Sequence, residues 1–154
     1  MKALVQRVTT ASVEVEGRIV GSITHGLLLF LGVEKGDTTA DLEYLCGKVA
    51  GLRIFSDNNG KMNLSIRDTG GSALVVSQFT LSSDCRKGNR PSFDNAETPK
   101  RARDFYELFI ARLKDSGIPV QTGSFGAHMK VVLENDGPVT FLVDSRPQNA
   151  DPSR

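Results

Sequence analysis

Three polar side chains follow an apolar run in the segment Ser77-Gln78-Phe79-Thr80. Residues 73–76 are continuously apolar and predict a buried strand, so the polar groups come where the chain leaves the core. Hydroxyl and amide groups in that position can face a ligand. They can equally form a strand edge whose hydroxyls cap their own backbone. The spacing alone leaves both interpretations open.

A second polar segment, Asn135-Asp136-Gly137-Pro138, lies between two stretches that predict strands, residues 131–133 and 139–143. Asn, Asp, Gly and Pro are the residues that turns select. The simplest prediction is therefore a hairpin turn between two strands. The segment is also the second place where polar groups could serve a site.

Other kinds of chemistry have little support in the sequence. The two histidines, His25 and His128, stand in no metal-ligand spacing, and no Gly-x-Ser-x-Gly nucleophile motif occurs. Each histidine is expected to be an ordinary surface or packing residue. The glycines form neither a P-loop nor a dinucleotide fingerprint. We therefore predict no metal ion and no cofactor.

The elements that must position these groups can be read from periodicity. Alternation over residues 12–16, a return strand at 19–23 and a fully apolar strand at 27–31 indicate a central sheet. Thr38 caps one predicted helix, which Gly51 ends, and Thr98 with Pro99 begins a second. The pattern predicts one α+β domain over residues 1–146, with a largely antiparallel sheet or partly closed β-barrel and two packing helices. The polar tail, residues 147–154, is expected to be disordered.

The composition indicates a soluble globular protein. The chain has 154 residues, of which 39% are hydrophobic and 24% charged, and no segment suits a membrane span or a signal peptide, so a cytoplasmic location is expected. A net charge of +1 provides no long-range attraction for nucleic acid, so any RNA contact must be local. The candidates for such a contact, or for an ordinary solvated surface, are Arg86, Lys87, Arg90, Lys100, Arg101 and Arg103.

Taken together, the two polar segments resemble the signature motifs of the D-aminoacyl-tRNA deacylase family. The resemblance lies in Ser77-Gln78-Phe79-Thr80-Leu81 and Asn135-Asp136-Gly137-Pro138-Val139-Thr140, which occur in the family's order. The start of the chain, Gln6-Arg7-Val8 with Ala11-Ser12-Val13, is similar as well, and the likeness covers roughly residues 1–143. The conjunction is far more specific than either short motif.

The resemblance implies a homodimer that needs no metal or cofactor and hydrolyses the ester of D-aminoacyl-tRNA. Its pocket would receive the terminal adenosine and the aminoacyl group. Ser77 and Gln78 would hold the adenosine end, and the turn from Phe79 to Thr80 would supply amides to the oxyanion. Thr80 itself is expected to position the substrate, because a threonine hydroxyl without an adjacent base is a poor nucleophile. The resemblance also places Arg7 and Asn135 among the substrate-binding residues.

The family resemblance implies that Gly137 and Pro138 select the chirality of the amino acid. They would form a Gly-cisPro wall that reaches into the partner subunit's pocket and excludes the side chain of an L-residue. Glycine has no side chain to exclude, so glycyl-tRNA, including glycine mischarged on tRNA(Ala), should also be hydrolysed.

Two other functions remain open at this stage. A non-catalytic tRNA-binding module would bind tRNA through the Arg86 to Arg90 loop without cleaving it. A small-molecule esterase would cleave model esters without the polynucleotide. Neither a membrane nor DNA is expected as a partner.

Overall fold

The structure, a computed structural model, describes residues 1–146, which form a mixed six-stranded sheet, a two-stranded ribbon and three α-helices. The strands are β1 (Lys2–Val15), β2 (Arg18–Ile23), β3 (Gly26–Gly32), β4 (Phe55–Ser56), β5 (Met62–Leu64), β6 (Ser72–Ser77), β7 (Val120–Thr122) and β8 (Lys130–Asp144). The helices are α1 (Thr39–Gly51), α2 (Ile66–Thr69) and α3 (Pro99–Asp115), and a 3-10 turn covers Phe79–Ser82. The predicted disordered tail, residues 147–154, lies outside the described residues.

The sheet is organised around β1. One edge of β1 pairs with β8 along its whole length, and the other edge pairs first with β3 and then with β2, all antiparallel. Beyond β3 the sheet continues through β6 and β7 in parallel pairings. Strand β2 then approaches β7, where a Cβ added to Gly21 would lie 2.2 Å from the backbone oxygen of Thr122. The predicted partly closed barrel is confirmed, and two parallel pairings are added to the antiparallel ones.

Strand β3 supplies the centre of the core. Leu27, Leu28, Leu29 and Leu31 are each at most 1% exposed, as predicted for a strand buried on both faces. Leu27, Leu29 and Leu31 pack under the helices, whereas Leu28 joins the barrel interior. Burial of each such side chain contributes about 1.5–3 kcal/mol.

Helix α1 begins with the predicted cap. The backbone N–H of Thr38 donates to Asp41 Oδ2 at 2.8 Å, and the Asp41 N–H donates back to Thr38 Oγ1 at 3.4 Å. Burial alone would raise the pKa of Asp41, but the hydrogen bonds from Thr38 and Ser145 lower it to about 2. The helix packs its buried face, which includes Leu42 and Leu45, on the sheet.

Helix α3 begins at Pro99 as predicted, although the Thr98 side chain makes no capping hydrogen bond. Its buried stripe is Tyr106, Phe109 and Leu113. The Tyr106 hydroxyl donates to the carbonyl of Val75 at 2.8 Å, and burial raises the pKa of this phenol to about 12. This bond fixes α3 against β6 two residues before Ser77. No helix within residues 1–146 is long and apolar enough to span a membrane.

Two local predictions were wrong. The predicted two helices are one too few, because Ser65 and Asp68 make a reciprocal capping box that begins α2, so residues 1–146 form three helices. Residues 135–138 are not a hairpin turn, because both flanking stretches belong to the single strand β8.

The polar segment in β8 is a bulge. Gln6 pairs with Thr140 and Val8 pairs with Asn135, so residues 136–139 stand opposite Arg7 alone. The 14 residues of β1 align both halves of β8 in one antiparallel ladder. Turn-forming residues therefore form a short loop here that bulges out of a continuous strand.

Substitution of two glycines by alanine should have opposite effects on the free energy of unfolding, because only one of them lies at the contact between β2 and β7. Gly21→Ala should lower the free energy of unfolding by about 1–3 kcal/mol, because its Cβ would enter the Thr122 backbone. Gly47→Ala, on the exposed side of α1 with nothing within 4 Å of the added Cβ, should raise it by about 0.5–1 kcal/mol. Urea unfolding at one protein concentration measures both changes, and equal stabilities would contradict the close approach of β2 to β7.

Candidate active site

A cavity of about 490 Å³ opens beside the end of β6. Three of the predicted site residues, Ser77, Gln78 and Phe79, line it, whereas Thr80 does not. The other walls come from the end of β3, the start of α3 and the loop before β8, through Leu31, Pro99, Ala102, Phe125 and Met129. A mostly apolar wall with a few polar groups is typical of a site for a small organic group.

The backbone after Ser77 is held in place by β3. Ser77 is the last residue of β6, where it pairs with Leu31, and the Gln78 N–H donates to the Leu31 carbonyl at 2.8 Å. The chain then enters the 3-10 turn, in which the Leu81 N–H donates to the Gln78 carbonyl at 3.3 Å. A buried strand therefore fixes the entry to this turn.

Two backbone amides at the start of the 3-10 turn are free. Within residues 1–146 neither the Phe79 N–H nor the Thr80 N–H has a hydrogen-bond acceptor. The first amides of a helical turn lack an acceptor inside the turn. Such donors, fixed beside a cavity, can stabilise negative charge that develops on an oxygen atom.

The Thr80 hydroxyl accepts a hydrogen bond from the side-chain amide of Gln78. In the described part of the chain, no histidine, lysine or carboxylate makes a hydrogen bond with this hydroxyl. Activation of a threonine as a nucleophile requires such a base. Among residues 1–146, the Thr80 hydroxyl therefore has no hydrogen-bonded base.

His128 and Phe125 also line the cavity, although His128 was expected to be an ordinary surface or packing residue and no role was predicted for Phe125. Neither stands in a recognisable motif, so only the fold reveals their position. Glu97, another lining residue, is a stable carboxylate, because hydrogen bonds from the Thr98 N–H and from Arg101 lower its pKa. Residues 1–146 contain no group of three or more His, Cys, Asp or Glu side chains placed to hold a metal ion.

The bulge in β8 is held by Asn135. Its Oδ1 accepts from the Val139 N–H at 2.7 Å, and its Nδ2 donates to the Val139 carbonyl at 3.2 Å and to Gln6 Oε1 at 3.1 Å. Arg7 supports the same loop, since its Nε donates to the Asp136 carbonyl at 2.9 Å and its Nη1 to the Ile54 carbonyl at 2.7 Å. The polar groups of Asn135 and Arg7 are thus engaged in positioning the bulge.

Gly137 and Pro138 lie at the exposed tip of this bulge, and the peptide bond between them is cis. A Cβ on Gly137 would lie 2.5 Å from the Val139 nitrogen, so only glycine fits there. The tip therefore presents backbone and a proline ring to its surroundings.

Within one chain the predicted site is divided into two places. Arg7 pairs with Leu27 on β3, whereas Ser77 pairs with Leu31, four residues further along the same strand. Four residues of strand span about 13 Å. None of Arg7, Asn135, Gly137 or Pro138 lines the cavity formed by the described residues.

Comparison with known proteins gives a consistent result. The model of the D-Tyr-tRNA(Tyr) deacylase family matches residues 4–144. The D-aminoacyl-tRNA deacylase of Persephonella marina is 58% identical over 146 residues, which cover 95% of this chain and 99% of that protein. The enzyme of the same name from Geobacter sulfurreducens is 54% identical over 150 residues, covering 97% and 99% of the two chains.

Solved structures agree. The c-Myc DNA Unwinding Element Binding Protein superposes with a TM-score of 0.91 at 41% identity, over 96% of this chain and 100% of that one. A probable eukaryotic D-amino acid tRNA deacylase has the same fold, with a TM-score of 0.78 at 16% identity over 93% and 98% of the chains. The chain therefore belongs to the D-Tyr-tRNA(Tyr) deacylase family of enzymes.

Proposed function

We propose that this protein hydrolyses the ester that joins a D-amino acid to the terminal adenosine of tRNA, and so proofreads chirality in the cytoplasm. One observation carries the proposal: within residues 1–146, no acceptor binds the amide of Phe79, which lines the cavity with Ser77 and Gln78, or the amide of the next residue, Thr80. Family membership supports the choice of substrate, because the relatives bear the name D-aminoacyl-tRNA deacylase.

The chemistry needs few groups. An aminoacyl ester is an activated acyl group, so a placed water and donors for the oxyanion are sufficient. A single preorganised donor of this kind typically contributes about 10²–10³ in rate. The Phe79 and Thr80 amides supply two donors, and Ser77 and Gln78 hold the adenosine in the cavity. The free ribose hydroxyl of the substrate orients the water, and no cofactor takes part.

The proposed homodimer rests on the outer edge of β8. Within residues 1–146, β8 pairs only with β1, so its other edge has no strand partner. Such an edge invites pairing with another chain. Val132, Phe141 and Leu142 on this strand are 63%, 39% and 59% exposed, which is unusual for large apolar side chains. A second copy of the chain would cover them.

The dimer also accounts for the position of the bulge. Gly137 and Pro138 are exposed and lie away from the cavity of their own chain, so we propose that they enter the partner's cavity. There they would form a wall beside the α-carbon of the substrate and exclude an L-side chain. Arg7 and Asn135 act as positioning residues for this wall through the hydrogen bonds described above.

A second candidate function comes from one relative, whose name describes binding to a DNA unwinding element. The net charge of +1 favours local contacts over general attraction to DNA, so we propose no DNA partner. The tRNA-binding module and the small-molecule esterase remain as alternatives. The first would bind tRNA without cleavage, and the second would cleave a D-tyrosine methyl ester as well as D-tyrosyl-tRNA.

The main test is a side-by-side titration of enzyme against D-tyrosyl-, L-tyrosyl- and glycyl-tRNA, including glycine carried by tRNA(Ala). D-tyrosyl- and glycyl-tRNA should be hydrolysed and L-tyrosyl-tRNA should survive, because the wall rejects only a misdirected side chain. If glycyl-tRNA survived as well as the L-form, recognition would depend on the D-side chain and the wall proposal would fail. Survival of all three would refute the deacylase function.

Thr80→Ala tests the role of the hydroxyl. We expect the single-turnover rate on D-tyrosyl-tRNA to fall by no more than about tenfold, because the backbone amide at this position is retained. A nucleophile's removal would instead cost several orders of magnitude. Thr39→Ala, which removes an exposed hydroxyl at the start of α1, is the matched control.

Leu142→Arg tests the dimer. The side chain is 59% exposed, so the substitution should leave the fold intact while placing a charge in the proposed interface. Light scattering should show monomers, and hydrolysis of D-tyrosyl-tRNA at the same concentration should fall by more than tenfold. Tyr44→Arg, on the exposed side of α1, adds the same charge elsewhere and should change neither. A fully active monomer would show that the wall does not come from a partner.

A further inference from the structure

A loop carrying several cations projects beside the mouth of the cavity. Its base is closed by two backbone hydrogen bonds between Asp84 and Ser92, of 2.8 and 2.9 Å, and residues 85–91 between them are exposed. The next residue, Phe93, packs edge-on against Phe79, with ring centroids 5.1 Å apart. Because Phe79 lines the cavity, this contact fixes the base of the loop at its mouth.

The cations near the mouth differ in whether their charge is compensated. Arg86 is paired with Asp84 at 2.5 Å, Arg101 with Glu97, and Lys100 with Asp104 at 3.7 Å. Arg103 lies over the ring of Phe125, a cavity residue, at 4.9 Å. For Lys87, Arg90 and Arg103, residues 1–146 provide no acidic partner, and these three are available to an external anion.

Two aromatic rings at the same mouth are exposed. Phe79 is 57% exposed and Phe93 is 41% exposed. Exposed aromatic faces beside uncompensated cations are the combination by which proteins bind single-stranded nucleic acid: the bases stack and the phosphates meet the cations. A duplex offers no free base faces for such stacking.

We propose that Phe93, Lys87 and Arg90, with Arg103 across the mouth, bind the unpaired nucleotides that precede the terminal adenosine of the substrate. This inference rests on the proposed function and names the part of the tRNA that the enzyme contacts outside the cavity. The terminal adenosine enters the cavity, so its 5′ phosphate and the next nucleotides must leave past these residues. The net charge of +1 makes such local contacts the source of affinity for the polynucleotide.

The test measures binding separately from hydrolysis. Fluorescence anisotropy gives the Kd of an unacylated trinucleotide with the 3′ sequence of tRNA, labelled at its 5′ end, over a range of KCl concentrations. For the double variant Lys87→Ala/Arg90→Ala, we expect the Kd to rise roughly tenfold and the slope of log K against log salt to fall by about 1.4. The kcat for D-tyrosyl-tRNA should stay within twofold while its KM rises, because neither side chain contacts the acyl group.

The matched control is Lys48→Ala/Lys114→Ala. It removes the same charge from α1 and from the end of α3, about 16 Å along that helix from Arg103, and should change neither Kd nor slope. Phe93→Leu keeps an apolar side chain against Phe79 but removes the stacking face, and it should raise the Kd about 5- to 150-fold without changing the salt slope.

Each alternative result is decisive. If the trinucleotide Kd of the cationic double variant is unchanged while the KM for tRNA rises, the cations contact the paired stem and the proposal is wrong. If the control double variant raised the Kd equally, the effect would come from net charge alone, and the proposal would also be wrong. If the wild type binds the trinucleotide as described but cleaves no D-tyrosyl-tRNA, the binding surface stands and only the proposed function fails.

Discussion

The antiparallel pairing of β1 with β8 is the constraint on which the other features depend. Fourteen residues of β1 hold β8 in a single ladder, and the register on either side of Arg7 forces residues 136–139 out of it. Asn135 closes the resulting bulge from within, and Arg7 ties it to Ile54. The ladder and these hydrogen bonds hold the loop at both ends, as the proposed wall would require.

The same strand sets the position of the cavity. The other edge of β1 pairs with β3, and β3 in turn aligns β6 so that Ser77 lies opposite Leu31. The Gln78 amide donates to the Leu31 carbonyl, and within residues 1–146 the next two amides have no acceptor. Helix α3 closes the cavity because Tyr106 bonds to β6 just before this point. Backbone donors fixed in this way need no reorganisation during the reaction, which is the basis of electrostatic catalysis. In the proposed mechanism, these donors would allow the ester to be hydrolysed without an activated side-chain nucleophile.

In the proposed dimer, a second copy of the chain would connect the two halves of the site. In each chain the cavity lies at one end of β3, and Arg7, which stands opposite the bulge, pairs with β3 about 13 Å further along that strand. A symmetric dimer can bring both bulges to both cavities with one type of interface. The free edge of β8, with its exposed apolar side chains, lies on the same strand as the bulge. Assembly and chiral selection would then depend on the same element.

Local patterns in the sequence determined the elements whose causes are local. The apolar run of β3, the Thr38 cap of α1 and the Pro99 start of α3 were predicted correctly, because burial on both faces, capping and the restricted backbone of proline act over a few residues. The two polar segments were also identified as unusual from their residue types alone.

Local patterns were misleading at residues 135–138, since turn residues form a bulge when a partner strand aligns both flanks. They could not indicate Phe125 or His128, whose position in the cavity results from the packing of the loop after β7. The sequence by itself therefore determined which residues carry polar groups that could serve a site. Only the tertiary structure decided which of them meet, because contacts between distant residues depend on strand register and sheet closure.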